Sequence, residues 1–264
     1  MKFMYFDPNA FERIKDSITE NPFGKMKYSR ALVDSFGLFM LLQLTIAGHG
    51  IEAAFLENCI PLVSIRTVIA KSSDLRHNKK IKYLLEVLQH SGMIAFAIEK
   101  RKTVRYRIAE YIPTKLCVSQ GFETELRKLV KIKKCNRRIL EDYDSCVPFA
   151  IYCLMRSIQK IEYGKPFMAR IPVKEIHERL NVSIQSVDKY KGLLQQDGLI
   201  YPIYSREYKA SIDKGHEMDC NEYAVYDYDK RRPEKYAKLN LRKQAYKGRS
   251  CVNEKQEATH KTLG

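Results

Sequence analysis

The chain has 264 residues and carries 47 Lys and Arg against 31 Asp and Glu, which gives a formal net charge of +16. Its hydrophobic fraction of 45% excludes wholesale disorder, and seven Cys without a Cys-x-x-Cys pair argue against a disulfide framework. The longest apolar stretch, residues 36–47, is interrupted by Gln43 and is too short to span a bilayer. We therefore expect a cytoplasmic, strongly basic protein without membrane association, and nucleic acid is the first partner to consider.

The positive charge is concentrated in four segments of the chain. Residues 71–82, 99–107, 127–138 and 229–264 together carry a formal charge of +22, so the remainder of the chain is net acidic. A chain selected only for solubility would intersperse the two signs. This distribution favours localised surfaces for an anionic partner over a uniformly solvated exterior.

The first half of the chain predicts helices followed by a β-hairpin. Residues 1–30 contain prolines and a glycine and are expected to form an irregular or partly helical arm. Helical spacing and caps then predict four helices, over residues 34–48, 51–58, 65–71 and 74–90. Gly92 is expected to end the last of these helices in a left-handed conformation. Alternating apolar residues predict two strands, over 93–98 and 104–108, joined by a charged loop.

The second half predicts a similar order of elements. Helices are expected over residues 148–162, 173–180 and 184–196, and strands over 167–171, 199–204 and 222–226. Between the halves, apolar residues at helical spacing over 122–143 predict a linker helix with a basic face. Two helices that brace a third, followed by a hairpin, are the arrangement of a winged helix-turn-helix.

We therefore predict an α+β, mostly α fold with two winged helix-turn-helix domains joined by a basic helical linker. The predicted boundaries are an N-terminal arm at 1–30, a first winged-helix domain at 31–113, the linker at 114–145, a second winged-helix domain at 146–228 and a basic flexible tail at 229–264.

The run MARIPVKEIHERLNVSIQSVDKYKGLLQQDGLI, residues 168–200, resembles the helix-turn-helix of bacterial winged-helix regulators and replication initiators. The matching features are the turn at residues 180–183, Leu-Asn-Val-Ser, and the ending Leu-x-x-x-Gly-Leu-Ile at 194–200. Together with the tandem arrangement, this resemblance implies an initiator of plasmid, phage or integrative-element replication, which grips repeated sites with two winged helices.

In the first domain, the exposed face of the last helix offers polar and basic side chains. Arg76 and Asn78 are the candidates for reading base edges, because Arg addresses guanine and Asn addresses adenine. Phosphate contacts, which position without specifying, are expected from Lys79, Lys80 and Lys82. The remaining candidates on this side are His77 on the helix, Lys100, Arg101 and Lys102 in the hairpin loop, and Lys131, Lys133, Lys134, Arg137 and Arg138 in the linker.

The second domain is electrically balanced, since residues 148–228 hold eleven basic and eleven acidic groups. Two interpretations remain open: DNA contact with few phosphate contacts, or dimerisation and partner docking. Polar groups on the recognition helix favour DNA contact. The candidate residues are Ser183, Gln185, Ser186, Lys189, Tyr190 and Lys191 on the helix, with Arg206 and Lys209 in the following loop.

Motifs for catalysis, a cofactor or a metal are not found. The chain lacks a Gly-x-x-x-x-Gly-Lys-Ser/Thr phosphate loop, and its six His never form the His-x-His pair of metal-dependent nickases. His216 and Cys220 lack the second ligand pair of a metal site, and the carboxylates Asp227 and Asp229 are expected at the surface. We therefore do not expect an enzyme or a bound cofactor.

The leading hypothesis is a sequence-specific double-stranded DNA-binding protein that initiates replication of a plasmid or other mobile element at repeated origin sites. One alternative is a winged-helix transcriptional repressor, and another is a protein-interaction adaptor with non-specific DNA affinity. Double-stranded DNA is the expected partner, and a second copy of the chain and replication-machinery proteins are further candidates.

Overall fold

The computed structural model of the protein describes residues 3–20, 28–46, 56–69, 77–109, 129–158, 168–202 and 222–228. Over these residues the protein is α+β and mostly helical, with eight α-helices and three small antiparallel sheets. The elements of the first half are β1 (Phe3–Phe6), α1 (Ala10–Glu20), α2 (Ala31–Leu44), β2 (Asn58–Pro61), α3 (Leu62–Ile69), α4 (His77–His90), β3 (Ile94–Glu99) and β4 (Thr103–Ile108). Those of the second half are β5 (Val130–Lys133), a 3-10 helix (Lys134–Arg137), α5 (Arg138–Asp142), α6 (Val147–Ser157), β6 (Met168–Arg170), α7 (Val173–Leu180), α8 (Ile184–Gln196), β7 (Ile200–Pro202) and β8 (Glu222–Val225).

One order of elements occurs twice along the chain. The first unit, α2 to β4, and the second unit, α6 to β8, each contain a helix, a strand, two helices and two strands. The strand order is β2-β4-β3 in the first sheet and β6-β8-β7 in the second. In both units the last strand is therefore the central one, and it pairs with the strand that precedes the two adjacent helices.

The ends of α4, α7 and α8 follow from local sequence, as predicted. Gly92 follows α4 with φ +73° and Gly198 follows α8 with φ +67°, a conformation that glycine adopts without steric penalty. Asn181 ends α7 with φ +51°, which asparagine tolerates better than most residues. Ser183 caps α8, its Oγ accepting the Ser186 N–H at 3.2 Å.

The N-terminal arm was predicted to be irregular or partly helical, and it contains the helix α1, but its first residues form a strand that was not predicted, and both elements enter the core. β1 pairs antiparallel with β5, in the register Phe3↔Lys133 to Phe6↔Val130. Met4 and Phe6 on the inner face of β1 are fully buried, as is Ile14 of α1. The arm buries apolar side chains that an exposed segment would leave in water.

The predicted linker helix over 122–143 is wrong for residues 130–133, which form β5; residues 122–128 lie outside the described part of the chain. Ile132 is buried while Lys131 and Lys133 point outward, which is the two-residue alternation of a strand. The strand forms here because β1 supplies its hydrogen-bonding partner, a pairing that spans most of the first half.

β2 was not predicted either, and Asn58, expected at a helix end, lies within it. Residues 51–55 of that predicted helix lie outside the described ranges. Pro61 fits the strand because β2 is at the sheet edge, where its missing N–H interrupts no ladder. α2 begins at Ala31 instead of 34, since Asp34 is buried within the helix and does not cap it.

A single hydrophobic core joins the two units. The ring centroids of Phe36 on α2 and Phe149 on α6 are 6.3 Å apart. A Cβ added to Gly37 would lie 2.7 Å from Cys146 Sγ, so α2 has no room for a larger residue at this contact. Cys146 and Cys153 are buried and are part of this core.

Candidate nucleic-acid interface

α4 separates its apolar and polar residues onto two faces. Asn78, Lys79 and Lys82 are exposed near its beginning, and Lys82 Nζ lies 3.5 Å from Glu86 Oε1 one turn later. The buried face consists of Ile81, Tyr83, Leu84, Leu85, Val87 and Leu88. The outward group therefore presents two ammonium groups and one amide to solvent on a helix that packing holds in place.

Lys80 has a different environment from that expected of a phosphate contact. Its side chain is only 16% exposed, and its Nζ lies 3.3 Å from Oδ2 of Asp34, which is 3% exposed. The same ammonium lies 4.2 Å above the ring of Tyr28, whose hydroxyl donates to Asp34. Lys80 therefore fastens the first turn of α4 to α2 and is not part of the exposed group.

Asp34 lies at the junction of the two units. Burial raises the pKa of its carboxyl to about 6, although Lys80 and a hydrogen bond from the Cys146 thiol act in the opposite direction. Burial and the neighbouring carboxylate raise the pKa of the Cys146 thiol well above its usual range. The thiol is thus a packed neutral group at the start of α6.

Arg66 of α3 contacts a candidate interface residue and was not itself predicted as a candidate. Its guanidinium donates to Oδ1 of Asn78, so it holds the amide proposed to read adenine. The amide oxygen has two lone pairs, and the amide nitrogen keeps two donors, so Asn78 retains the groups needed for a base edge. No sequence periodicity indicates this pair, because it joins two different helices.

The β3–β4 hairpin presents its loop lysines and arginine to solvent. Lys100 and Arg101 have φ +45° and +57°, and the Lys102 N–H donates to the Glu99 carbonyl at 3.0 Å. Positive φ at both central residues is typical of a type I′ hairpin turn, and at non-glycine residues it is strained. The Lys102 carbonyl accepts the Leu62 N–H at 2.8 Å, which ties the loop to the beginning of α3.

Arg105 on β4 is held by two carboxylates. It lies 3.0 Å from Glu57 and 2.5 Å from Glu99, and these partners raise its pKa. Arg107, two residues further along the strand, is exposed. The hairpin loop is therefore more cationic at its tip than along its returning strand.

The helix α1 braces the end of α4. Ser17 Oγ donates to the Val87 carbonyl at 2.9 Å, and Arg13 Nη2 donates to the Ser91 carbonyl at 2.7 Å. The Val87 carbonyl also accepts the Ser91 N–H at 2.9 Å, so Ser17 adds a second bond there, and Arg13 supplies a donor to the carbonyl of the first residue after the helix. The N-terminal arm thereby sets the position of α4 and of the hairpin that follows it.

The basic side chains of β5 and of the segment that follows it have different surroundings. Lys131 is exposed with its Nζ 3.8 Å above the Phe3 ring, Lys134 is half-buried and Arg138 is exposed. Arg137 lies 3.4 Å from Glu141. Lys133 lies 2.7 Å from Asp227, which raises its pKa.

Asp227 was expected at the surface, but it is partly buried and contacts several side chains. Besides Lys133, it accepts from Asn136 Nδ2 at 3.0 Å and from the Tyr152 hydroxyl at 3.4 Å, and Arg156 lies 3.9 Å away. Burial opposes ionisation, but these donors together keep the pKa of Asp227 below its usual value. The carboxylate links the end of the second unit to the segment after β5.

α8 exposes a mainly neutral polar surface. Gln185 and Lys189 point outward, and Ile184, which was not predicted as a contact, is 49% exposed at the first helical position. Ser183 and Ser186 form the N-cap. Tyr190, which was predicted on the exposed face, is half-buried and packs against the core.

Lys191, in contrast, was predicted on the exposed face and lies mostly inside. Its side chain is 12% exposed, with its Nζ 3.7 Å from Asp188 and 5.5 Å from the centroid of the Tyr223 ring. The ammonium therefore packs against β8. Arg76, the side chain of His77, Arg206 and Lys209 lie outside the described residues.

Within the described ranges, no group of three or more His, Cys, Asp or Glu side chains is placed to hold a metal ion. Among the described helices, none has both the length and the apolar character needed to cross a bilayer. No family model matches the chain, and no curated protein and no solved structure is significantly similar to it.

Proposed function

We propose that the chain is a sequence-specific double-stranded DNA-binding protein built from two winged helix-turn-helix units. The observation that carries this proposal is the repeat, in which both units share one element order and one strand order. In such units the second of the two adjacent helices enters the major groove, which admits one α-helix. α4 and α8 have the recognition position, and the β3–β4 hairpin has that of a wing.

The first unit would supply most of the affinity. Lys79 and Lys82 are exposed on α4, and Lys100 and Arg101 are exposed at the hairpin tip. Cations that neutralise phosphates release condensed counterions, a gain that does not depend on base sequence. The basic residues after β5 extend this surface along the chain.

The second unit would read bases with fewer phosphate contacts. Gln185 has the donor and acceptor of an adenine-reading amide, and Ile184 offers an apolar contact for a thymine methyl group. Gly192 shares the helical spacing of Gln185 and Lys189, and a Cβ added to it would meet nothing within 4 Å. A position without a side chain lets a helix lie closer to a ligand.

A duplex-binding titration at several salt concentrations tests this assignment. We expect a steep linear loss of log affinity with log salt, and Lys79→Gln should lower the slope by about 1. The matched control is Lys15→Gln on α1, whose side chain is exposed on a helix that belongs to neither unit. A shallow slope for the unmodified chain, or equal effects of both substitutions, would contradict the proposal.

The biological role that we propose is initiation of replication of a plasmid or other mobile element. Two recognition helices on one rigid core suit a long or repeated site, as origins contain. If repeated sequences lie beside this gene, they can be cloned into a plasmid that lacks an initiator of its own. That plasmid should be maintained only when the gene is supplied from elsewhere. The double variant Lys79→Gln/Lys82→Gln should fail to maintain it. Repression of a promoter at those repeats without plasmid maintenance would instead indicate a transcriptional regulator.

A further inference from the structure

The outer face of the β1–β5 ribbon combines aromatic rings with lysines. Phe3 and Tyr5 of β1 are half-buried on this face, and Lys131 and Lys133 stand opposite them in the register Phe3↔Lys133 and Tyr5↔Lys131. The rings of Phe3 and Tyr5 are tilted by 57° with centroids 6.5 Å apart. A solvent-facing side of a sheet usually carries polar residues, so this aromatic pair requires an explanation.

The ribbon is held rigidly by a buried amide. The Tyr5 N–H donates to Gln43 Oε1 at 2.8 Å, and Gln43 Nε2 donates to the Tyr5 carbonyl at 2.6 Å. Gln43 is fully buried on α2 and occupies the edge of β1 where a third strand would pair. Because Tyr5 directs its backbone groups to Gln43, it and Lys131 form a non-hydrogen-bonded pair, whose side chains lie close together.

The packing of the inner face of the ribbon limits which parts of a nucleic acid the outer face can contact. Met4, Phe6 and Ile132 are fully buried, so the ribbon lies flat on the core and does not project as a groove-reading ribbon must. Since this face does not reach base edges in a groove, it can contact bases only by stacking, and in a duplex the base faces are already stacked on one another. Aromatic rings flanked by lysines are the features that stack unpaired bases and contact their phosphates.

We infer that this face is a binding platform for single-stranded nucleic acid, separate from the duplex-reading helices. Bases stack on Phe3 and Tyr5, and Lys131 contacts the phosphates. Lys133 is 56% exposed and pairs with Asp227 at 2.7 Å, but its ammonium has further N–H donors for a phosphate. Lys131 now covers the Phe3 ring at 3.8 Å, and a base would displace it toward the backbone. The exchange is favourable because a cation over an exposed ring stabilises less than a stacked base. The sequence supports the charge complementarity, since residues 129–138 contain five basic and no acidic groups.

A tryptophan reporter tests the platform directly, because the chain contains no Trp. Phe3→Trp keeps an aromatic ring at the site and introduces a single tryptophan, which can be excited at a longer wavelength than the 17 tyrosines. Its emission should be quenched by an oligodeoxythymidine of about 16 nucleotides and not by a blunt duplex. The control is Leu56→Trp, at an exposed site in the first unit, which the oligonucleotide should leave unchanged. Equal quenching of the Phe3→Trp protein by duplex would overturn the inference.

Affinity measurements separate this site from the duplex surface. Phe3→Leu/Tyr5→Leu keeps apolar side chains but removes the rings, and should weaken oligodeoxythymidine binding at least tenfold while leaving duplex affinity unchanged. Lys79→Gln should do the reverse. Oligouridine that binds as tightly as oligodeoxythymidine supports stacking without sugar recognition. Undiminished single-strand binding by the leucine variant would overturn the platform, whereas an unmodified chain that binds oligodeoxythymidine but no duplex would count only against the proposed function.

Discussion

The ammonium of Lys80 lies 3.3 Å from the buried carboxylate of Asp34, and this pair joins the first turn of α4 to α2. Cys146 at the start of α6 hydrogen-bonds to the same carboxylate. One polar contact therefore involves α4 of the first unit and the beginning of α6 in the second. It makes the position of α4 sensitive to substitutions that lie away from its exposed face.

Replacing Lys80 by Met should destabilise the protein by about 3 kcal/mol, because Asp34 would be left as a buried charge without its partner. Lys79→Met, one residue away on the exposed face, should change stability by no more than about 0.5 kcal/mol. Urea unfolding followed by circular dichroism measures both. Equal stability losses would show that Lys80 is an ordinary surface lysine.

The raised pKa of Asp34 predicts a pH dependence of stability. Between about pH 4 and pH 6 the folded protein retains a proton at Asp34 that the unfolded chain has already released. The stabilisation from this group is full below pH 4 and is lost as the pH rises to 6, by about 3 kcal/mol in total. The test compares the unfolding free energies of the unmodified protein and of Asp34→Asn. The unmodified protein should lose stability relative to the variant as the pH rises over this range. A relative gain in stability with rising pH would contradict the assignment.

The positive φ of Lys100 predicts opposite effects on stability and binding. Lys100→Gly should stabilise the protein by about 0.5–1 kcal/mol, since relief of left-handed strain exceeds the added entropy of the unfolded chain. Duplex affinity should fall, because a cation at the loop tip is lost. Lys102→Gly is the control: its φ is not positive, so it should destabilise the protein while removing the same charge. Thermal unfolding and duplex titration of both variants decide this prediction.

The contact between Gly37 and Cys146 predicts a second pair of matched variants. Gly37→Ala should cost about 1–3 kcal/mol, because its Cβ would lie 2.7 Å from Cys146 Sγ. Adding Cys146→Ala should restore part of the loss by removing that sulfur. Gly192→Ala should instead stabilise α8 by about 0.5–1 kcal/mol, since its Cβ meets nothing. A stability loss at Gly192 would show that α8 packs differently.

The helix pair α7 and α8 could be predicted to the residue because its signals are local. Ile176, Leu180, Val187 and Leu194 repeat at helical spacing, and Ser183 marks the beginning of α8 by its cap. The strands β1, β2 and β5 could not be predicted this way. The sequences of β1 and β2 show no alternation of apolar and polar residues, that of β5 lies within a longer run with helical spacing, and the pairing partners are far away in the chain, as Phe3↔Lys133 illustrates.

In the candidate site, too, local spacing predicts some side-chain positions, and contacts with distant residues determine others. The outward positions of Lys79, Lys82, Gln185 and Lys189 follow from helical periodicity and agree with the predicted face. The inward position of Lys80 depends on Asp34, which is buried on another helix and cannot be recognised as its partner from spacing. The aromatic face of β1 was not predicted because the arm was expected to be irregular or partly helical, without a strand.

Selection of binding sequences from a random duplex library with the full chain is the most direct test of sequence-specific recognition by two units. We predict one enriched motif in two parts. Asn78→Ala should relax the preference at one position of one part, and Gln185→Ala at one position of the other, each by about 1–3 kcal/mol. A library that shows no enrichment, or a motif that neither substitution alters, would contradict the account.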